Sequence, residues 1–217
     1  MQNPFREAEF VLGATRFSQL PSEPVPEVAF AGRSNAGKSS TLNALCGRRA
    51  LARVSRTPGR TQEINVFQLP PEGRWRLIDL PGYGYAKVPP AQRAQWNRLI
   101  GQYLRERVGL VGLVLIMDIR RPMTELDRNL LQWLEPHPRL LHVVLTKSDK
   151  VSRNEAGKQL LATRRQLEEH GLDATLQTFS ALKSEGVDDL QGVLLDWLEN
   201  AGSRHHPPDD APPPEGT

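Results

Sequence analysis

Residues 32 to 39 read Gly32-Arg33-Ser34-Asn35-Ala36-Gly37-Lys38-Ser39, and no other stretch limits the fold of this chain so tightly. The spacing G-x-x-x-x-G-K-S needs a buried strand before it and a helix after it. Both are present: Val28-Ala29-Phe30-Ala31 is a short apolar run, and Ser40-Thr41-Leu42-Asn43-Ala44-Leu45 reads as the start of a helix. The glycines let backbone N–H groups wrap a polyphosphate, and the helix N-terminus adds a favourable dipole. Lys38 would reach the β- and γ-phosphates, and the Ser39 hydroxyl would ligate Mg²⁺. The pattern implies a nucleoside triphosphate site built on an α/β fold.

The rest of the chain continues strand and helix in alternation. Residues 65–69 and 74–79 read as a hairpin pair around Pro70-Pro71-Glu72-Gly73. Helical spacing of apolar residues runs through 91–107, and Leu110 to Met117 is an almost unbroken apolar run, as in a central parallel strand. Thr124 to Leu134 reads as a helix with Thr124 as N-cap, and 140–145 as the next strand. A helix from Ser152 to His170 closed by Gly171, a strand at 174–179 and a helix at 187–198 complete the series. Such alternation specifies a mostly parallel sheet with helices on both faces.

At 217 residues the chain fits one domain. The division expected is a leader at 1–26 packed on the domain, the domain itself at 27–201, and a disordered tail at 202–217 rich in Pro, His and acid. His205 and His206 read as part of that solvated tail, since no second ligand cluster lies nearby in sequence. The start of the chain has an acid and no apolar core, and no run is long enough to span a bilayer. The single cysteine, Cys46, excludes an internal disulfide and reads as a buried free thiol. A cytoplasmic location with no membrane partner is expected. The formal charge of +3 rises to +6 once the acids Asp209, Asp210 and Glu215 of the tail are set aside, which suits an RNA partner.

Three further motifs narrow the chemistry. Asp79-Leu80-Pro81-Gly82 follows an apolar strand: the carboxylate would hold Mg²⁺ through water, and the Gly82 N–H would meet the γ-phosphate. Thr146-Lys147-Ser148-Asp149 ends the next parallel strand but one. Asp149 can accept from guanine N1–H and the exocyclic amine, a match adenine cannot make, while Lys147 can lay its aliphatic stem along the base. Ser180-Ala181-Leu182-Lys183, after the last strand and its final residue Phe179, offers backbone N–H groups to guanine O6. Guanine is therefore the expected base. The loop Thr57 to Asn65 holds the expected nucleotide-sensing threonine, Thr61, with Thr57 as its competitor; Gly59, Arg60, Gln62 and Glu63 flank it. Gly59 could let the loop flex between nucleotide states.

The strings Gly32 to Ser40, Thr57-Pro-Gly-Arg-Thr-Gln-Glu-Ile-Asn65, Asp79-Leu-Pro-Gly-Tyr-Gly-Tyr-Ala86 and Thr146 to Asp149 together resemble the EngB (YihA/YsxC) family of bacterial GTPases, within the TrmE-Era-EngA-EngB-Septin-like class. The resemblance runs from about residue 5 to 200 and does not reach the tail. It implies a Ras-like fold, a mostly parallel six-stranded sheet with one antiparallel strand and helices on both faces. It also implies Mg²⁺-dependent GTP and GDP binding, slow hydrolysis, a role in assembling the large ribosomal subunit, and a part in cell division and septation. The candidate nucleotide set is then Gly32, Arg33, Ser34, Asn35, Ala36, Gly37, Lys38, Ser39 and Ser40, with residues 59–63, 79–82, 146–149 and 179–181 named above. Ser39 and Thr61 are the candidate metal ligands, and Lys38, Thr61 and Gly82 the candidate catalytic residues.

One position departs from the water-orienting pattern. Ras has a Gln after the Asp-x-x-Gly glycine. Here that residue is Tyr83, so unaided hydrolysis should be on the order of the Ras basal rate, about 10⁻⁴ per second, or slower. Acceleration would come from the ribosomal particle or from K⁺ held by Asn35, with Asn35 as a simple cap of the loop the plainer reading. Basic residues at Arg48, Arg49, Arg53, Arg56 and Arg60, and at Arg120 and Arg121, are candidates for rRNA phosphate contacts, with a solvated basic loop as the plainer reading. Trp96, Trp133 and Trp197 lie at apolar helix positions and read as core. A monomer is the default, and no DNA partner is expected. Besides the switch, a GTP-dependent RNA- or protein-binding module with incidental hydrolysis fits the same motifs.

Overall fold

A computed structural model describes residues 3–52, 63–71, 73–84, 90–132, 134 and 140–201, without the side chains of residues 90, 92 and 93. Thr57, Gly59, Arg60, Thr61, Gln62, Trp133, Tyr85, Ala86, Arg53, Arg56 and the tail, all singled out above, lie outside the described residues.

The strands are β1 (Glu9–Ala14), β2 (Glu27–Gly32), β3 (Ile64–Leu69), β4 (Trp75–Asp79), β5 (Leu110–Asp118), β6 (Leu140–Thr146) and β7 (Thr175–Thr178). They form one sheet in the order β1-β3-β4-β2-β5-β6-β7. Pairing is parallel from β4 through β7, while β3 runs antiparallel to both β4 and β1. The sheet thus has seven described strands where six were expected, with β3 as the reversed one. The extra strand, β1, comes from the leader. Its sequence, Glu9-Phe-Val-Leu-Gly-Ala14, lacks a two-residue polar alternation and carries a bulge between Phe10 and Leu12, so no strand was legible there.

The helices are α1 (Lys38–Leu45), α2 (Pro90–Glu106), α3 (Glu125–Gln132), α4 (Arg153–Glu169) and α5 (Val187–Glu199). They divide between the two faces. Ala29 and Ala31 of β2 point into a core shared with α2, α3 and α4; Val28 and Phe30 point into the other, shared with α1 and α5. β2, β4 and β5 are buried along their whole length, which is why residues 28–31 and 110–117 read as continuous apolar runs, while β4 carries Arg76 and Asp79 among its buried residues. Trp96 and Trp197 are buried, as their helical positions implied. Cys46 is fully buried, and desolvation pushes its thiol up to about 12.

A buried charge ties the leader to the domain. Glu27 is 0% exposed and accepts from Arg107 Nε at 2.8 Å, Tyr103 Oη at 2.9 Å and Arg76 Nη1 at 3.3 Å. Arg107 also donates to Pro21 O at 2.7 Å, and Arg76 pairs with Glu23 at 3.1 Å. Phe5 and Ala8 enter the α1/α5 core.

Thr124 stands at the start of α3, but its capping bond runs opposite to the expected one. Its hydroxyl and N–H both donate to Asp127 Oδ2, at 2.7 and 2.8 Å. Ser152 caps α4 in the ordinary sense, accepting from Glu155 N at 3.2 Å. Among the described residues no helix is long and apolar enough to cross a membrane.

Candidate nucleotide site

The chain crosses from one half of the sheet to the other at β2, and the carboxyl ends of the strands there form the crevice where ligands of open α/β sheets bind. Gly32 ends β2, Asp79 ends β4, Asp118 ends β5 and Thr146 ends β6, all on one edge. The loop from Arg33 to Gly37 leaves β2 and feeds α1, whose N-cap is Gly37 with φ 109°. A Cβ at Gly37 would be strained by that φ and would press Thr146 Oγ1 at 3.2 Å. The helix begins at Lys38, two residues before the sequence suggested, so Lys38 and Ser39 occupy its first turn.

Asp79 is 6% exposed and pairs with the Lys38 ammonium, while Asn65 Nδ2 donates to its other oxygen at 3.4 Å. The donors at this end, the Asp79 carboxylate and the Ser39 hydroxyl, are hard oxygens of the kind Mg²⁺ takes, so the residues fit that ion. Among the described residues no group of three or more His, Cys, Asp and Glu side chains gathers, which excludes nothing about a metal held by hydroxyls and phosphates.

Gly82 passes within 3.6 Å of the phosphate loop, measured from an added Cβ to Ser34 N. Tyr83 then pairs with that loop through its backbone: Ser34 N donates to Tyr83 O at 2.8 Å, and Tyr83 N to Gly32 O at 3.3 Å. Its phenol is buried and donates to Asp127 Oδ1 at 2.7 Å. Burial, then the Asp127 charge and hydrogen bond, hold the phenol well above its usual pKa. Arg33 Nε lies 3.9 Å from the same carboxylate, which is 0% exposed. Tyr83 is thus an anchor between the phosphate loop and α3.

Beyond the loop lies a cleft of about 250 Å³ lined by Gly37, Ser40, Thr41, Thr146, Lys147, Asp149, Lys150, Phe179, Ala181 and Leu182. Lys147 takes a left-handed backbone conformation, φ 60° and ψ 34°. Its Nζ donates to Asn35 O at 2.6 Å and to Asp118 Oδ2 at 2.9 Å. Asp149 Oδ1 accepts from Ser180 Oγ at 2.7 Å, and its other oxygen lies 3.4 Å from Lys150 Nζ. The Ser180 hydroxyl, foremost, holds the Asp149 carboxyl below its ordinary pKa, keeping it an acceptor. Ser148 N donates to Phe179 O at 3.1 Å, which locks the 146–149 and 179–181 segments together. Asn35 has φ 63° and an exposed side chain.

Of the residues singled out in the sequence, those at 32–40, 79–82, 146–149 and 179–181 converge on this one edge; Glu63 lies beside β1, its carboxylate filling the space next to Gly13. Asp118 and Asp127 were missed. Asp118 ends an apolar run and Asp127 sits in a helix's first turn, where an acid is ordinary, so neither carried a signal. Two basic residues proposed for RNA are engaged internally: Arg48 donates to Ala8 O, and Arg120 clamps Asp118. Arg49 and Arg121 are exposed.

The profile of the 50S ribosome-binding GTPase family matches residues 27–147, spanning the phosphate loop through Lys147. A probable GTP-binding protein EngB from Dechloromonas aromatica (strain RCB) is 50% identical over 219 residues, covering 96% of each chain. The chain belongs to the EngB family of GTP-binding proteins. A second EngB relative, from Azoarcus sp. (strain BH72), is 50% identical over 205 residues, covering 94% of this chain and 97% of that one. A crystal structure of a probable GTP-binding protein EngB superposes with a TM-score of 0.63 at 19% identity, covering 80% of this chain and 99% of that one. A single-residue variant of Aquifex aeolicus Era bound to GDP·AlF4⁻ gives 0.63 at 23% identity, over 81% and 57%. Both structures share the fold, a Ras-like α/β architecture, which this EngB-family chain carries with seven described strands.

Proposed function

We propose that this EngB-family protein is a GTP-hydrolysing switch in assembly of the large ribosomal subunit, and that it turns GTP over slowly when alone. The observation that carries the reading is the convergence of three motif segments: Lys147 Nζ ties its segment to the phosphate loop at Asn35 O, and Ser180 Oγ ties the 179–181 segment to Asp149. Lys38 would bind the β- and γ-phosphates, the Gly82 N–H the γ-phosphate, and the Asp149 carboxylate the guanine N1–H and amine. Ser39 and Thr61 would hold Mg²⁺, which when bound neutralises charge on the phosphates. Backbone N–H groups of Ser180 and Ala181 would meet guanine O6.

Slow turnover is supported by Tyr83. The residue after Gly82 carries no amide to orient water, and its hydroxyl is already engaged by Asp127. K⁺ near Asn35 and the ribosomal particle are the proposed accelerators. The same tyrosine favours a second reading, a GTP-dependent module that docks on RNA or protein with hydrolysis incidental. The family resemblance extends the proposal to a part in cell division and septation, acting in the cytoplasm as a monomer.

Multiple-turnover hydrolysis with and without large-subunit precursors separates the two readings. Acceleration by the particles supports the switch. Nucleotide-dependent binding with unchanged turnover moves the assignment to the docking module. ATP displacing labelled GDP as well as GTP does would refute the guanine assignment itself.

A further inference from the structure

We propose that Asp118 is a positioning residue for guanine nucleotides, pinning the Lys147 ammonium to the phosphate loop so that the lysine's methylene stem stands as a fixed wall of the base cleft. This rests on reading Lys147 and Asp149 as base-binding side chains.

The placement follows from register. Asp118 and Thr146 are partners across β5 and β6, and Ile119 N donates to Thr146 O at 3.0 Å, so the two strands stop together. Lys147 is the next residue. Its left-handed backbone, a conformation that non-glycine residues adopt at a cost, turns its side chain across the strand ends. The ammonium then sits between two acceptors, Asn35 O at 2.6 Å and Asp118 Oδ2 at 2.9 Å. Asn35 is itself left-handed, so two strained positions meet through this one side chain. Strain concentrated in this way marks a place that the surroundings over-determine.

Asp118 is built for the task. It is 8% exposed, and both oxygens are engaged. Oδ1 accepts from Arg120 N at 3.1 Å and Nε at 2.9 Å; Oδ2 accepts from Arg120 Nη2 at 2.6 Å as well as from Lys147. Burial pushes its carboxyl upward, but the Arg120 and Lys147 hydrogen bonds outweigh that and hold it far below the usual carboxylate range. Arg120 therefore fixes the carboxylate, and the carboxylate fixes the lysine. A free lysine stem carries as much rotamer entropy as any side chain, all of it lost when a base packs on it. Pinning the stem in the free protein removes that cost from binding. The effect is independent of which polar edge the purine presents, because a methylene stem reads only its face.

The experiment measures dissociation constants for GDP, IDP and XDP with D118N, K147A, the double variant and D149N. D118N should weaken GDP and IDP alike, on the order of tenfold, as expected for losing a bond to a charged group. In the K147A background D118N should change affinity by less than about twofold, because the group it positions is gone. GDP binding by D118N within about twofold of the parent overturns the proposal, as does an equal loss in both backgrounds. If D118N lowers the melting midpoint by more than about 5 °C, the charge-conserving D118E replaces it. The longer arm should weaken GDP in the parent background and leave K147A unchanged; equal effects again overturn the role. D149N is the separate control: it should lose GDP and gain XDP, and no such exchange would sink the base-site reading whatever Asp118 does.

Discussion

Replacing Tyr83 by Phe removes one hydroxyl and keeps the ring that fills the core beside Leu80 and Met123. The lost bond is the 2.7 Å donation to Asp127, a carboxylate with 0% exposure. Asp127 Oδ2 keeps the Thr124 N–H and hydroxyl, and Arg33 Nε stays 3.9 Å away, so the charge is not stranded. Hydrogen bonds to charged groups contribute roughly 1.5–3 kcal/mol, and the middle of that range, about 2 kcal/mol, is expected here. For a domain of this size that corresponds to a melting shift of about 4–8 °C. Alkaline pH adds a second signature. The phenol's pKa is raised by burial and by Asp127, so its contribution is fully present below the unfolded tyrosine value of about 10 and is lost as pH rises from there toward the folded value. The Phe variant lacks this titration. Urea unfolding of both proteins should therefore show a gap of about 2 kcal/mol at neutral pH that narrows above pH ~10. A gap that stays constant through about pH 11, or no gap at neutral pH, would refute the anchoring role. Single-turnover GTP hydrolysis should stay within about threefold, less than 1 kcal/mol of barrier, since the hydroxyl faces Asp127 and not the phosphates.

Further outcomes follow from other parts of the fold. Glu27→Ala leaves Arg107 and Arg76 without their buried partner and should cost about 3–5 kcal/mol in urea unfolding; a loss below about 1 kcal/mol would mean the network is not what ties leader, β2 and α2. Cys46, with its thiol pushed up to about 12 by burial, should resist disulfide reagents at neutral pH until the protein is unfolded, and rapid labelling of the native protein would contradict its placement. GTP turnover should be faster in KCl than in NaCl if Asn35 helps hold K⁺, and equal rates would remove that proposal.

Legibility in the sequence tracked how local the physics was. The phosphate loop, the strand runs of β2, β5 and β6, the glycine closing α4 at Gly171 and the buried Trp96 and Trp197 each announce themselves within a few residues. What escaped depends on partners far along the chain. β1 is a strand only because β3 pairs with it, more than fifty residues on. Glu27 follows Pro26 and looks like the polar approach to a strand; only Arg76 and Arg107 make it a core residue. Asp118 and Asp127 are ordinary strand-end and helix-start acids until Lys147 and Tyr83 reach them. The Thr61 segment, read from its motif alone, lies outside the described residues.

The proposed switch requires that guanine nucleotide state govern attachment to large-subunit particles. Co-sedimentation of the full chain with purified large-subunit particles tests it most directly. Retention with a non-hydrolysable GTP analogue and release with GDP is the predicted result. Equal retention with both nucleotides, or none with either, would contradict it.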